Sequence, residues 1–87
     1  MDLDEDSAAD AFFRDLLDAV DQQLASGATP FVGRTLERLV KAGMEIDAAR
    51  EAIAGCLAEE SDRMFRSGRP FDLESYRKSL ERISPPS

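Results

Sequence analysis

Glu59 and Glu60 stand side by side, with Asp62 close behind, in the stretch CLAEESDRMF at 56–65. Carboxylates grouped in this way serve acid–base catalysis or hard-cation binding when they converge on one point. On a helix they diverge. At about 100° per residue Glu59, Glu60 and Asp62 point to different sides, so one cation cannot easily collect all three. The chain has no histidine, the commonest general base and transition-metal ligand. Cys56 is the only cysteine, which excludes an intrachain disulfide and a thiolate zinc site. Its apolar neighbours read as those of a small core residue rather than a nucleophile. No GxxxxGK[ST] or GxGxxG phosphate loop exists; Gly27, Gly33 and Gly43 fall at helix ends or inside a helix. No metal or cofactor is expected.

The position of Glu60 needs an explanation of its own. Ile46, Ala49, Ile53, Cys56, Leu57 and Met64 share one arc of a helix, and Glu60 projects near the middle of that arc. Three readings follow. Its stem lies on apolar atoms at a groove edge while its carboxylate meets water or an arginine. Or it is a buried acid held by a specific partner such as Tyr76, Arg34, Arg38 or Arg77, because an unpaired buried carboxylate would neutralise instead. Or it is a functional carboxylate. Glu59–Arg63 and Asp62–Arg66 have the favourable spacing for ion pairs along one helix.

Four helical segments must position these residues. The first covers about 7–26, with Ser7 as cap, Gly27 as stop, and Phe13, Leu16, Leu17, Val20 and Leu24 on one face. The second covers about 30–42, from the cap Thr29 and the first-turn Pro30 to Gly43. It carries Val32, Leu36, Leu39 and Val40 inward, with Arg34, Arg38 and Lys41 pointing away. The third covers about 45–67 and ends at SGRP. The fourth covers about 73–83, with Asp72 as cap, Phe71 stapling onto Tyr76, and Leu73, Tyr76, Leu80 and Ile83 as its stripe. Ala54, Ala58, Ser61 and Phe65 form a second strip on the third helix, nearly opposite its main arc. A helix apolar on two sides is central or has an additional partner, so this helix is expected to contact the other three or to use the strip as a homodimer face. Mid-helix Gly55 suits a close backbone approach. Leu17 and Leu36 are expected in the core. The fold class is all-α, a compact antiparallel bundle of four helices in one domain over 7–83, with an acidic flexible lead at 1–6 and a flexible tail at 84–87.

Composition narrows the partners. Of the 87 residues 33% are charged and 43% hydrophobic, a folding composition for a small domain with a thin core. The net charge of −7 belongs to one end: residues 1–21 hold eight acids against one base, and the remainder balances. Such a field repels nucleic acid and anionic membranes, suits a helix start, or offers a docking surface to a basic partner. No apolar run approaches the roughly 20 residues of a membrane span. With one cysteine and an acidic N-terminus, a cytoplasmic protein is expected.

The segments V-D-Q-Q-L-A at 20–25, P-F-V-G-R-T-L-E-R-L at 30–39, A-x-x-A-I-A-G-C-L-A-E at 49–59 and G-R-P-F-D-x-x-x-Y at 68–76 occur in an order and spacing that resembles small bacterial helical proteins of unknown function. The resemblance covers about 20–83. It implies a compact helical domain, bacterial and cytoplasmic, with no established activity. Relatives of that kind carry an H-x-x-x-H pair on the first helix, at positions occupied here by Phe13 and Leu17. On the third helix, Glu59 matches the acidic position of the pattern and Glu60 a variable one that can be histidine. The resemblance therefore implies a polar site that has lost its imidazoles in this chain.

These readings favour a non-catalytic protein–protein interaction or self-association module, not an enzyme. Its partner is an unknown protein or a second copy, and its candidate positions are Glu59, Glu60, Tyr76, Ala54, Ala58 and Phe65. A carboxylate-based divalent-metal or enzyme site around Glu59 and Glu60 is one alternative. An acidic decoy, binding a basic partner through residues 1–21, is another.

Overall fold

The computed structural model describes the backbone of residues 3–85 and the side chains of residues 11–85. Four helices form a small bundle: α1 (Leu3–Ala25), α2 (Pro30–Lys41), α3 (Ile46–Ser67) and α4 (Leu73–Glu81). There is no strand among the described residues. α1 begins earlier than its sequence signals suggest, so residues 3–6 are helical and Ser7 lies within the helix. Of the expected flexible ends, Met1, Asp2, Pro86 and Ser87 lie outside the described residues. α4 stops at Glu81, short of Ile83, because the two prolines beyond Ser84 disfavour helical backbone before them.

Three connections turn the chain by distinct means. Thr29 stands at the N-cap of α2 but its hydroxyl donates back to the Gln23 carbonyl at 3.3 Å, tying the turn to α1 instead of capping α2. Pro30 then starts α2 with the fixed φ of a first helical position. Gly43 and Gly68 adopt positive φ of 103° and 69°, and Gly68 closes α3 through its N–H to the Met64 carbonyl. Asp72 caps α4, its carboxylate accepting from the Ser75 amide at 3.0 Å. Phe71 packs edge-on against Tyr76, with ring centroids 5.7 Å apart, which completes the staple.

α3 packs against α1, α2 and α4, and so is the central element. Val20, Val32, Ile53, Ala54, Leu57, Tyr76 and Leu80 form the core cluster, with Leu16, Leu17, Leu24, Leu36 and Cys56 packed on its edge. Leu17 and Leu36, expected in the core, pack against it and are half-buried. Polar ties bind the periphery. Arg50 grips Asp21 with two bonds of 3.0 and 2.8 Å, joining the end of α1 to the start of α3. Arg38, expected to point away, instead donates to the Leu80 and Ile83 carbonyls at 3.0 Å each. Those carbonyls lie at the end of α4, where a helix leaves acceptors unsatisfied and a cation meets the negative end of the dipole. Gly55 is exposed and nothing approaches the place of a Cβ there, so the close backbone contact expected of it is not made.

Candidate functional site

Glu60 is buried, and its carboxylate is satisfied. The heptad-like arc of α3 carries its stem inward beside Leu57, while Oε2 accepts from Arg63 Nη1 at 2.9 Å and from Ser75 Oγ at 2.9 Å. Arg63 Nη1 also lies 3.1 Å from Ser75 Oγ, so the three side chains close a triangle between α3 and α4. The partners differ from those expected. Tyr76, Arg34, Arg38 and Arg77 do not hold Glu60; an arginine one turn along the same helix does, with a serine from the first turn of α4. Arg77 is instead committed to Glu74 and Glu81 on its own helix. Arg63 pairs with Glu60 rather than with Glu59, because Glu60 offers a desolvated carboxylate already braced by Ser75.

The neighbouring carboxylates do not join it. Glu59 is exposed, and Asp62 pairs with Arg66 at 3.0 Å. Among the described residues no group of three potential ligands could hold a metal ion. Glu60 itself is spent on a cation, the Arg63 guanidinium, and a metal would have to displace it. Phe13 is partly exposed and Leu17 packs on the core edge, so these two positions of the first helix contribute apolar surface.

The triangle forms one wall of a groove of about 440 Å³ where the end of α3 meets the start of α4. Glu60, Arg63, Arg66, Arg69, Asp72 and Ser75 supply its polar lining, with Met64 and Pro70 as apolar wall. Ser67 shapes the turn: its hydroxyl donates to the Arg63 carbonyl at 2.7 Å and accepts the Arg69 amide at 3.2 Å. With Gly68 in left-handed backbone, the chain reverses and Arg69 faces the same groove as Arg63 and Arg66. The sequence reading did not single out Ser75 or Arg69. Ser75 follows the cap Asp72 by three residues, which marks it as a first-turn position of α4 but not as a partner of Glu60.

The remaining candidates divide. Tyr76 is fully buried and its hydroxyl donates to Gln23 Oε1 at 2.7 Å, with burial, and then the Cys56 charge, raising its pKa far above 10.0. Burial likewise raises the Cys56 thiol from 9.0, followed by the charges of Glu59 and Glu60, so the thiolate is disfavoured. Ala54 is buried in the core and Ala58 half-buried, whereas Phe65, on the same strip, is 80% exposed. The strip is therefore covered at one end and bare at the other, and it does not form one continuous face. No helix among the described residues is long and apolar enough to cross a membrane. Comparison with protein-family models, with curated proteins and with solved structures finds no match for this chain.

Proposed function

We propose that this chain is a non-catalytic protein–protein interaction module that self-associates through apolar surface at the end of α3. The observation that carries the reading is Phe65, 80% exposed at the outer end of a strip whose inner end, Ala54, is core. A large aromatic ring held in water on a rigid helix is expensive surface and a ready anchor for a second chain. Phe12 on α1 and Leu73 on α4, at 61% and 52% exposure, add further uncovered apolar area. A thin core in a domain of this size gains stability from covering such surface. Bacterial origin and a cytoplasmic setting belong to the same reading, in keeping with the lone thiol.

Sedimentation across micromolar to millimolar protein tests it. The expected result is concentration-dependent association, weakened at least about tenfold by Phe65→Ser, a loss typical of a central aromatic anchor. A strict monomer over the whole range, or association untouched by Phe65→Ser, overturns the reading.

A further inference from the structure

We propose that the groove between the end of α3 and the start of α4 is an oxyanion-binding site, in which buried Glu60 positions Arg63 and a phosphate or carboxylate group is held by Arg63, Arg66 and Arg69. Burying a carboxylate among apolar side chains is costly, and an ion pair seldom repays that cost relative to a well-packed apolar residue. What the Glu60 carboxylate does achieve is placement. Its side chain is 2% exposed and its Oε2 takes Arg63 Nη1 at 2.9 Å, with Ser75 Oγ bracing the same oxygen. The Arg63 side chain is 63% exposed, and only Nη1 is engaged in hydrogen bonds. Nε and Nη2 remain as donors on a guanidinium that can no longer swing freely. A fork held in this manner loses little entropy when an oxyanion arrives.

Two further guanidiniums share the groove. Arg66 gives Nε to Asp62 and keeps its other nitrogens, and Arg69 makes no ion pair among the described residues. Asp72 also lines the groove, and its carboxylate is engaged as the cap of α4. The groove thus gathers the guanidiniums of Arg63, Arg66 and Arg69 in one concavity, against the carboxylates of Glu60 and Asp72 in its lining and of Asp62 on Arg66. The volume of about 440 Å³ suits a small molecule, with Met64 and Pro70 to cover its apolar part. The carboxylates of Asp62 and Asp72 oppose a multiply charged ligand and keep the affinity modest. Arginine forks match phosphate and carboxylate alike, so the shared chemistry is an oxyanion.

The test is titration of the full chain with inorganic phosphate and, separately, with citrate at constant ionic strength. It is followed by NMR at the Arg63 side-chain Nε–H and the amides of Ser67, Arg69 and Ser75. At least one of the two is expected to saturate with half-saturation below about 10 mM, and the tighter of the two identifies the group. Arg69→Ala, an exposed change that leaves the fold intact, is expected to weaken binding about threefold or more, and Arg63→Lys, which keeps charge but loses the fork, about tenfold. Glu60→Gln separates positioning from simple charge: loosening Arg63 weakens binding, whereas mere removal of a negative charge strengthens it. Shifts that stay linear for both anions and match those of chloride overturn the site, as does parental affinity in both arginine variants. Tighter binding by Glu60→Gln overturns the role of Glu60.

Discussion

The Tyr76 hydroxyl donates to Gln23 Oε1 at 2.7 Å, joining α4 to α1 across the core. Among the described residues the backbones of these two helices do not pack against each other; α2 and α3 lie between them. Phe31 and Phe71 meet the same tyrosine ring edge-on, with centroids at 5.9 and 5.7 Å. Tyr76 therefore meets α1, α2 and the α3–α4 connection at once.

Removing only the hydroxyl, by Tyr76→Phe, is expected to cost about 1 kcal/mol, the net worth of one hydrogen bond, as read by chemical denaturation. Tyr76→Ala is expected to cost about 3–5 kcal/mol, since a fully buried aromatic ring leaves a cavity.

Alkaline stability follows from the same residue. The folded chain retains the Tyr76 proton at pH values where the unfolded chain, titrating near 10.0, has lost it. Its contribution is complete below pH 10 and declines above it, by up to about 1.4 kcal/mol per pH unit. The raised Cys56 thiol acts in the same direction from pH 9 upward. Denaturation midpoints measured from pH 8 to pH 11 are expected to fall, and Tyr76→Phe is expected to flatten the part above pH 10.

Glu60 and Arg63 are expected to respond unequally. Glu60→Met fills the same space without a charge and leaves Arg63 free to hydrate, so its stability stays within about 1 kcal/mol of the parent or rises. Arg63→Ala strands a buried carboxylate with Ser75 alone and is expected to cost about 2–4 kcal/mol. Equal losses in the two variants would contradict the account of a desolvated acid held by an exposed base.

Arg38 is expected to matter through α4. Arg38→Ala removes both donors from the Leu80 and Ile83 carbonyls and should destabilise by about 1 kcal/mol, with hydrogen exchange rising first in the last turn of α4. Arg38→Lys should not restore both bonds, because a single ammonium lacks the planar fork.

Core truncations should rank by depth. Ile53→Ala and Leu39→Ala, both fully buried, are expected to cost about 2–5 kcal/mol. Leu17→Ala and Leu36→Ala lie at the edge of the core and should cost about half as much. Thermal melts that invert this order would contradict the packing described.

The sequence alone determined the four helices, because their signals are local. Apolar spacing, the Asp72 cap, the Phe71–Tyr76 staple, Pro30 and the glycines after α2 and α3 act within one or two turns. It also marked α3 as central, from apolar residues on two of its sides. What it left open was every choice between distant partners. Nothing local told whether Glu60 would meet Tyr76, an arginine of α2 or α4, or Arg63, since that depends on how α4 folds back over α3. The same crossing placed Ser75 against Glu60, turned Arg38 onto the end of α4 and set Arg69 beside Arg63 and Arg66. It also split the Ala54–Phe65 strip, because the neighbouring helices cover Ala54 and leave Phe65 bare. A helical stripe fixes which residues share a face, but only the packing of whole helices fixes how far along that face the cover extends.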